Sequence, residues 1–125
     1  MKSVPLEDEE CVAFADYLRA KGIEFCHVAN ESRSSSRSAM IRGAKLKRMG
    51  QSRGVWDYEV FIPYKGVTGS IDCYQEIRIE MKRQRGGTVS PEQKAWMRIY
   101  EKSGIPCKVC KGASEAIEFV NSFLQ

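Results

Sequence analysis

The stretch Ile71-Asp72-Cys73-Tyr74-Gln75-Glu76-Ile77-Arg78-Ile79-Glu80-Met81-Lys82 reads as one long β-strand. Side chains alternate with period two along a strand, so Ile77, Ile79 and Met81 share one face while Arg78, Glu80 and Lys82 share the other. The apolar face marks the strand as core-forming. Its polar triplet is thereby carried on an ordered element, as a site requires. Glu80 and Lys82 project the same way, roughly 7 Å apart along the chain.

Just upstream, Val55 to Pro63 predicts a second strand, and Gly66 to Ser70 supplies a turn between the two. If these strands pair, Asp57 approaches Glu80. Two carboxylates together suit a hard divalent cation such as magnesium, which takes oxygen ligands. An adjacent lysine can position or help deprotonate a water for attack on phosphorus, while the cation neutralises the phosphate oxygens. Singly the pieces are weak: Glu-x-Lys on a strand is commonly a solvated face, and an Asp close to Gly54 is commonly a turn residue.

Outward from the hairpin the chain alternates helices and strands. Glu7 to Lys21 predicts a helix with Cys11, Phe14, Ala15 and Leu18 at helical spacing, an acidic first turn and Gly22 as a stop. Ile23 to Ala29 reads as a short strand, and the Ser- and Arg-rich Glu31 to Arg37 as an exposed, mobile loop. Ala39 to Met49 predicts a basic amphipathic helix with Met40, Ile41, Ala44 and Leu46 available for packing, ended by Gly50. Downstream, Ser90 caps a helix with Pro91 at its first position and Trp96, Ile99 and Tyr100 inward. A strand over Ile105 to Cys110 and a helix over Ser114 to Leu124, striped by Ile117, Val120 and Leu124, close the chain. The order α-β-(α)-β-β-α-β-α predicts a mixed α/β sheet flanked by helices in one domain over residues 1–125.

Charge is distributed unevenly. The net charge is only +4, yet Arg33, Arg37, Arg42, Lys45, Lys47, Arg48 and Arg53 occur between Ser32 and Trp56 without one Asp or Glu. Clustered basic side chains attract a polyanion, largely by releasing its counterions, so this segment predicts contact with nucleic acid, against the bland alternative of a solvated loop. With 42% hydrophobic and 29% charged residues, the composition is that of an ordinary globular protein. No apolar run nears the length of a membrane span and no signal-peptide pattern opens the chain, so no membrane association and a cytoplasmic location are expected. The five cysteines, Cys11, Cys26, Cys73, Cys107 and Cys110, read as reduced core thiols. Cys107-Lys108-Val109-Cys110 has half a zinc site's spacing, but no second pair or nearby histidine accompanies it. His27, the one histidine, reads as packed or hydrogen-bonded; with Asn30 it could also contact phosphate.

The order Asp, hairpin, Glu-x-Lys, then a helix carrying Gln resembles the PD-(D/E)XK nuclease superfamily. More specifically, the chain resembles the VRR-NUC (virus-type replication-repair nuclease) family in its short stand-alone phage or bacterial form. The matching segments are His27-Val28-Ala29-Asn30-Glu31, Gly50-Gln51-Ser52-Arg53-Gly54-Val55-Trp56-Asp57, Ile79-Glu80-Met81-Lys82 and Gly87-Thr88-Val89-Ser90-Pro91-Glu92-Gln93. The resemblance implies a restriction-endonuclease-like fold and a DNA endonuclease, a phosphodiester hydrolase of replication, recombination or repair that depends on Mg2+ or Mn2+. Asp57 and Glu80 match its metal-binding carboxylates, the main-chain carbonyl of Met81 an added ligand, Lys82 the catalytic lysine, and Gln93 the glutamine of the following helix. Ser90-x-x-Gln93 is equally a capping box. The family's acidic residue of the first helix falls on Glu10, with Glu7 next; both also suit the helix dipole. Two departures stand out: Trp56 occupies the place of the family's proline before the Asp, and Cys11 that of a frequent glutamine.

Compact members of the family are similar to Holliday-junction resolvases. This implies a homodimer on branched DNA, in a bacterial or phage-infected cell. Arg33, Arg37, Arg42, Lys45, Lys47, Arg48 and Arg53 would grip the backbone, and Gly86-Gly87 would let the chain pass near substrate. Two other readings are a non-catalytic nucleic-acid-binding module of the same fold and a structural partner in a phage replication complex.

Overall fold

In the computed structural model, which describes residues 3–28 and 36–124, the sheet is built around the hairpin of β2 (Tyr58–Lys65) and β3 (Ile71–Lys82). Before it come α1 (Glu7–Ala20), β1 (Glu24–His27) and α2 (Arg37–Arg48); after it come α3 (Pro91–Lys102), β4 (Cys107–Lys111) and α4 (Ala113–Asn121). The order is the one the sequence predicts. In space the strands lie β1-β2-β3-β4. The hairpin and the β1–β2 joint are antiparallel, whereas β4 lies parallel to β3. A parallel neighbour needs a crossover, and α3 supplies it. With helices packed on the sheet, this is the mixed, restriction-endonuclease-like arrangement expected.

The period-two pattern of β3 is realised as burial. Ile77, Ile79 and Met81 are fully buried with Tyr58, Val60 and Ile62 of β2, against Phe14 and Leu18 of α1 and Ala116 and Val120 of α4. Phe14 meets Tyr58 edge-on, with ring centroids 5.1 Å apart, a favoured aromatic geometry. On the opposite face, Arg78 bonds Glu76 (2.8 Å) and Glu59 (3.0 Å) and lies over the Tyr100 ring of α3. The charged face is therefore covered by α3 rather than bare.

Several expectations shift. β2 starts at Tyr58, not Val55, because the residues before it are held by α3. It also runs beyond Pro63. That proline lies past Phe61, the last residue that β1 pairs, so its missing amide removes no β1–β2 bond. α2 starts at Arg37, with the Ser36 hydroxyl accepting from the Ala39 amide. It buries no residue: Met40 and Ile41 are exposed, and only Ala39 and Leu46 are half-buried. Ile99 is half-exposed, since Trp96 and Tyr100 take the inner stripe of α3. Of the thiols, Cys110 is buried, Cys11, Cys73 and Cys107 are half-buried, and Cys26 on the edge strand is exposed. Burial pushes Cys11 up to about 11 and Cys110 up to about 12, as inert core thiols require. The expected loop at Glu31 to Arg37 lies, but for its last two residues, outside the described residues. Among the described residues no helix is long and apolar enough to cross a membrane.

Candidate active site

Asp57 and Glu80 meet where the β2–β3 ladder ends. The last regular pair is Tyr58 with Ile79. One residue further, side chains replace backbone partners: the Met81 amide donates to Asp57 Oδ2 (2.9 Å), and the Asp57 amide donates to Glu80 Oε1 (3.2 Å). The two carboxylates are thus fixed by each other's strand. β1 secures the same corner, with the Val28 amide donating to the Asp57 carbonyl.

Glu80 is 3% exposed. Its second oxygen, Oε2, accepts from Gln93 Nε2 at 2.7 Å and faces Lys82 Nζ at 3.3 Å. The Lys82 stem lies along Gly87, where an added Cβ would sit 3.1 Å from Lys82 Cβ. Of the Gly86-Gly87 pair it is therefore Gly87 that passes close to the lysine. Gln93 makes both bonds that the sequence suggests. Its Oε1 accepts from the Ser90 amide while the Ser90 hydroxyl accepts from the Gln93 amide, completing the capping box, and its Nε2 reaches Glu80. One side-chain amide has a donor end and an acceptor end, so the two uses do not compete.

Electrostatically the pair is strained. Burial first, then the neighbouring charge of Asp57, pushes Glu80 up to about 7, against the pull of Lys82 and the Asp57 amide. Asp57 is likewise raised, chiefly by burial; the Met81 amide opposes this, Glu7 adds to it, and His27 and Lys82 counter it. One lysine does not neutralise two desolvated carboxylates. The converging side-chain donors are oxygens with no cysteine among them, a set that could hold a hard cation.

Glu10 goes elsewhere. Its carboxylate, 7% exposed, accepts from the Ala113 amide at the start of α4 (3.2 Å) and from Gln84 Nε2 (3.3 Å). Gly112 makes room for it, since a Cβ there would lie 2.2 Å from Glu10 Oε2. Among the described residues no group of three His, Cys, Asp or Glu side chains is placed to hold a metal, so Glu10 does not join Asp57 and Glu80. Glu7, one turn earlier, is the first-helix carboxylate whose charge Asp57 feels. Arg83 pins the segment leading to it, donating to the carbonyls of Val4 and Pro5. His27 stacks obliquely on Tyr58, ring centroids 4.9 Å apart.

Arg37, Arg42, Lys45, Lys47 and Arg48 are exposed on α2, and Arg53 is exposed on the loop after it; Arg33 lies outside the described residues. The sequence reading missed Trp56. Far from being an incidental departure, it is fully buried, stands edge-on to Tyr100 with centroids 5.5 Å apart, and donates its indole N–H to the Gln93 carbonyl at 3.0 Å. A large apolar residue beside a site acid was the available signal.

A mixed sheet flanked by helices, with an Asp at the start of one hairpin strand and Glu-x-Lys at the end of the other, defines the restriction-endonuclease-like class of fold. Among solved structures the chain is similar to a VRR_NUC domain protein with TM-score 0.71 and 21% identity, over 98% of this chain and 90% of that one. The fold is that of a VRR-NUC domain. Comparison of the sequence with family models and with curated proteins finds no match.

Proposed function

We propose that this chain is a divalent-metal-dependent DNA endonuclease that hydrolyses phosphodiester bonds. A fold alone does not carry an activity. The observation that supports the reading is the carboxylate pair of half-buried Asp57 and buried Glu80, cross-bonded through main-chain amides with Lys82 Nζ 3.3 Å from the second. Burying two acids together raises their proton affinity and costs stability unless a cation compensates. Such an arrangement has a purpose when a cation is part of the working state.

Asp57, Glu80 and the Met81 carbonyl would hold Mg2+ or Mn2+. Bound there, the ion supplies positive charge for the phosphate oxygens and Lewis acidity. Lys82 donates hydrogen bonds from an ammonium held in place by Glu80 and Gly87, and orients the attacking water. Gln93 holds the same Glu80 oxygen that Lys82 faces. The exposed basic side chains of α2 bind the backbone of DNA without choosing sequence. The resemblance to junction resolvases supports branched or structured DNA as substrate and a homodimer, whose two-fold symmetry offers two equivalent sites to two strands.

Purified protein with Mn2+ should convert branched, flapped or linear DNA to product, and EDTA should stop it. Binding without cleavage under every divalent cation would instead establish a non-catalytic module.

A further inference from the structure

Residues 53–56 are a seat for α3, from its first turn to its third. Gln93, Trp96 and Tyr100 are spaced three and four apart, so they form one stripe of the helix. Each meets the segment. Trp96 Nε1 donates to the Arg53 carbonyl (3.1 Å), Trp56 Nε1 donates to the Gln93 carbonyl (3.0 Å), and the Trp56 amide donates to the Tyr100 hydroxyl (3.4 Å). Gly54, at φ +78°, brings the backbones together: a Cβ there would lie 2.6 Å from Glu92 Cβ and 2.8 Å from the Gln93 nitrogen. Only glycine tolerates both the conformation and the approach.

We infer that Trp56 is a positioning residue that sets Gln93 on Glu80. The Gln93 side chain is tied at both ends, to the Ser90 amide and to Glu80 Oε2, so its reach depends on where its own backbone stands. A carbonyl has two lone pairs, so the indole N–H can hold the Gln93 carbonyl alongside the helix ladder. Trp56 is fully buried and one residue from Asp57. The same segment therefore carries one carboxylate and fixes the residue that holds the other. A shift of the helix start would stretch the 2.7 Å Gln93–Glu80 bond and release the Glu80 oxygen that Lys82 also faces.

The inference rests on the nuclease reading for its effect on catalysis, but not for its geometry, and two measurements keep these apart. In the full chain with Mn2+ and DNA, below the melting temperature of every variant, Trp56→Phe should lower kcat about 10–100-fold, as loss of a ligand's supporting partner does. KM for DNA should hold. In a Gln93→Ala background Trp56→Phe should change kcat no further, whereas an independent structural role would add its own loss. Trp96→Phe removes a comparable tie to the same segment away from Gln93 and should lower stability with kcat unchanged. In the metal-free protein, the Gln93 side-chain NH2 signals in a 15N spectrum should move towards those of solvated amides in Trp56→Phe. If that variant does not fold, benzothienylalanine at position 56 removes the N–H and keeps the bulk, and the same shift is expected. An additive kcat loss, or Gln93 amide signals unmoved by loss of the indole N–H, overturns the inference. If the wild type cuts nothing, the nuclease reading falls and the amide signals alone decide whether Trp56 sets Gln93.

Discussion

Replacing Glu80 by Gln should remove a pH dependence of stability that the metal-free protein carries at its centre. Burial and the Asp57 charge push Glu80 in the folded chain up to about 7 from 4.5. With its folded pKa above its unfolded one, Glu80 binds a proton more tightly in the native state. Its stabilising contribution is full below pH 4.5, declines as pH rises, and is gone above 7. A shift of that size corresponds to about 3 kcal/mol, and with Glu80 only 3% exposed solvent screening removes little of it. The raised Asp57, shifted by burial and by Glu7, acts in the same direction in both proteins. Urea denaturation in EDTA from pH 4.5 to 8, on wild type and Glu80→Gln, isolates the effect as a difference. The pairs of Arg78 with Glu59 and Glu76 are common to both proteins and cancel. Relative to wild type, the variant should gain steadily with pH, by about 3 kcal/mol across the range. Curves that stay parallel would show that Glu80 is not held as a strained acid, and the argument for a compensating cation would fail with it.

Lys82→Ala should lower single-turnover cleavage by about 100–10,000-fold while circular dichroism and DNA affinity stay near wild type; near-normal turnover would remove the lysine from the chemistry. Charge reversal of Arg42, Lys45 and Arg48 to Glu should weaken DNA binding and make the slope of log K against log salt shallower by about 3. Unchanged binding in fluorescence anisotropy would mean that α2 faces away from DNA. Gly54→Ala forces a side chain into a left-handed backbone and into Glu92, and should cost about 1–3 kcal/mol of unfolding free energy. Glu10→Ala strips the acceptor from the Ala113 amide and should cost about 1–3 kcal/mol, read from the urea midpoint; an unshifted midpoint would deny Glu10 its place at the head of α4.

What the chain declared on its own was local. Alternation in Ile71–Lys82 places Glu80 and Lys82 on one face because a strand's geometry repeats every two residues, whatever surrounds it. The Ser90 cap and Pro91 start α3 for equally local reasons, and the element order follows from such signals in series. Where periodic signals were read as contacts, the outcome depended on partners the pattern does not encode. The stripe of α2 marks residues fit for burial, yet among the described residues no element covers Met40 or Ile41. Cys26 lies in a strand, but at the sheet's edge, and so is exposed.

The site shows the division most clearly. That an Asp and a Glu could meet was legible from a hairpin between them; that they exchange bonds with each other's main chain depends on the register in which the ladder stops. Glu7 and Glu10 share a face of α1 and are indistinguishable by spacing. Only the packing of α4 against that helix, with Gly112 opening space, draws Glu10 to the Ala113 amide and leaves Glu7 as the one that Asp57 senses. Trp56 stands out in sequence only as a large residue where a proline is expected, and its hold on Gln93 exists only because α3 crosses back over residues 53–56. Periodicity and caps are short-range steric preferences that a chain carries wherever it goes. Which carboxylate is desolvated, and by whom it is held, is set by residues distant in sequence and close in space.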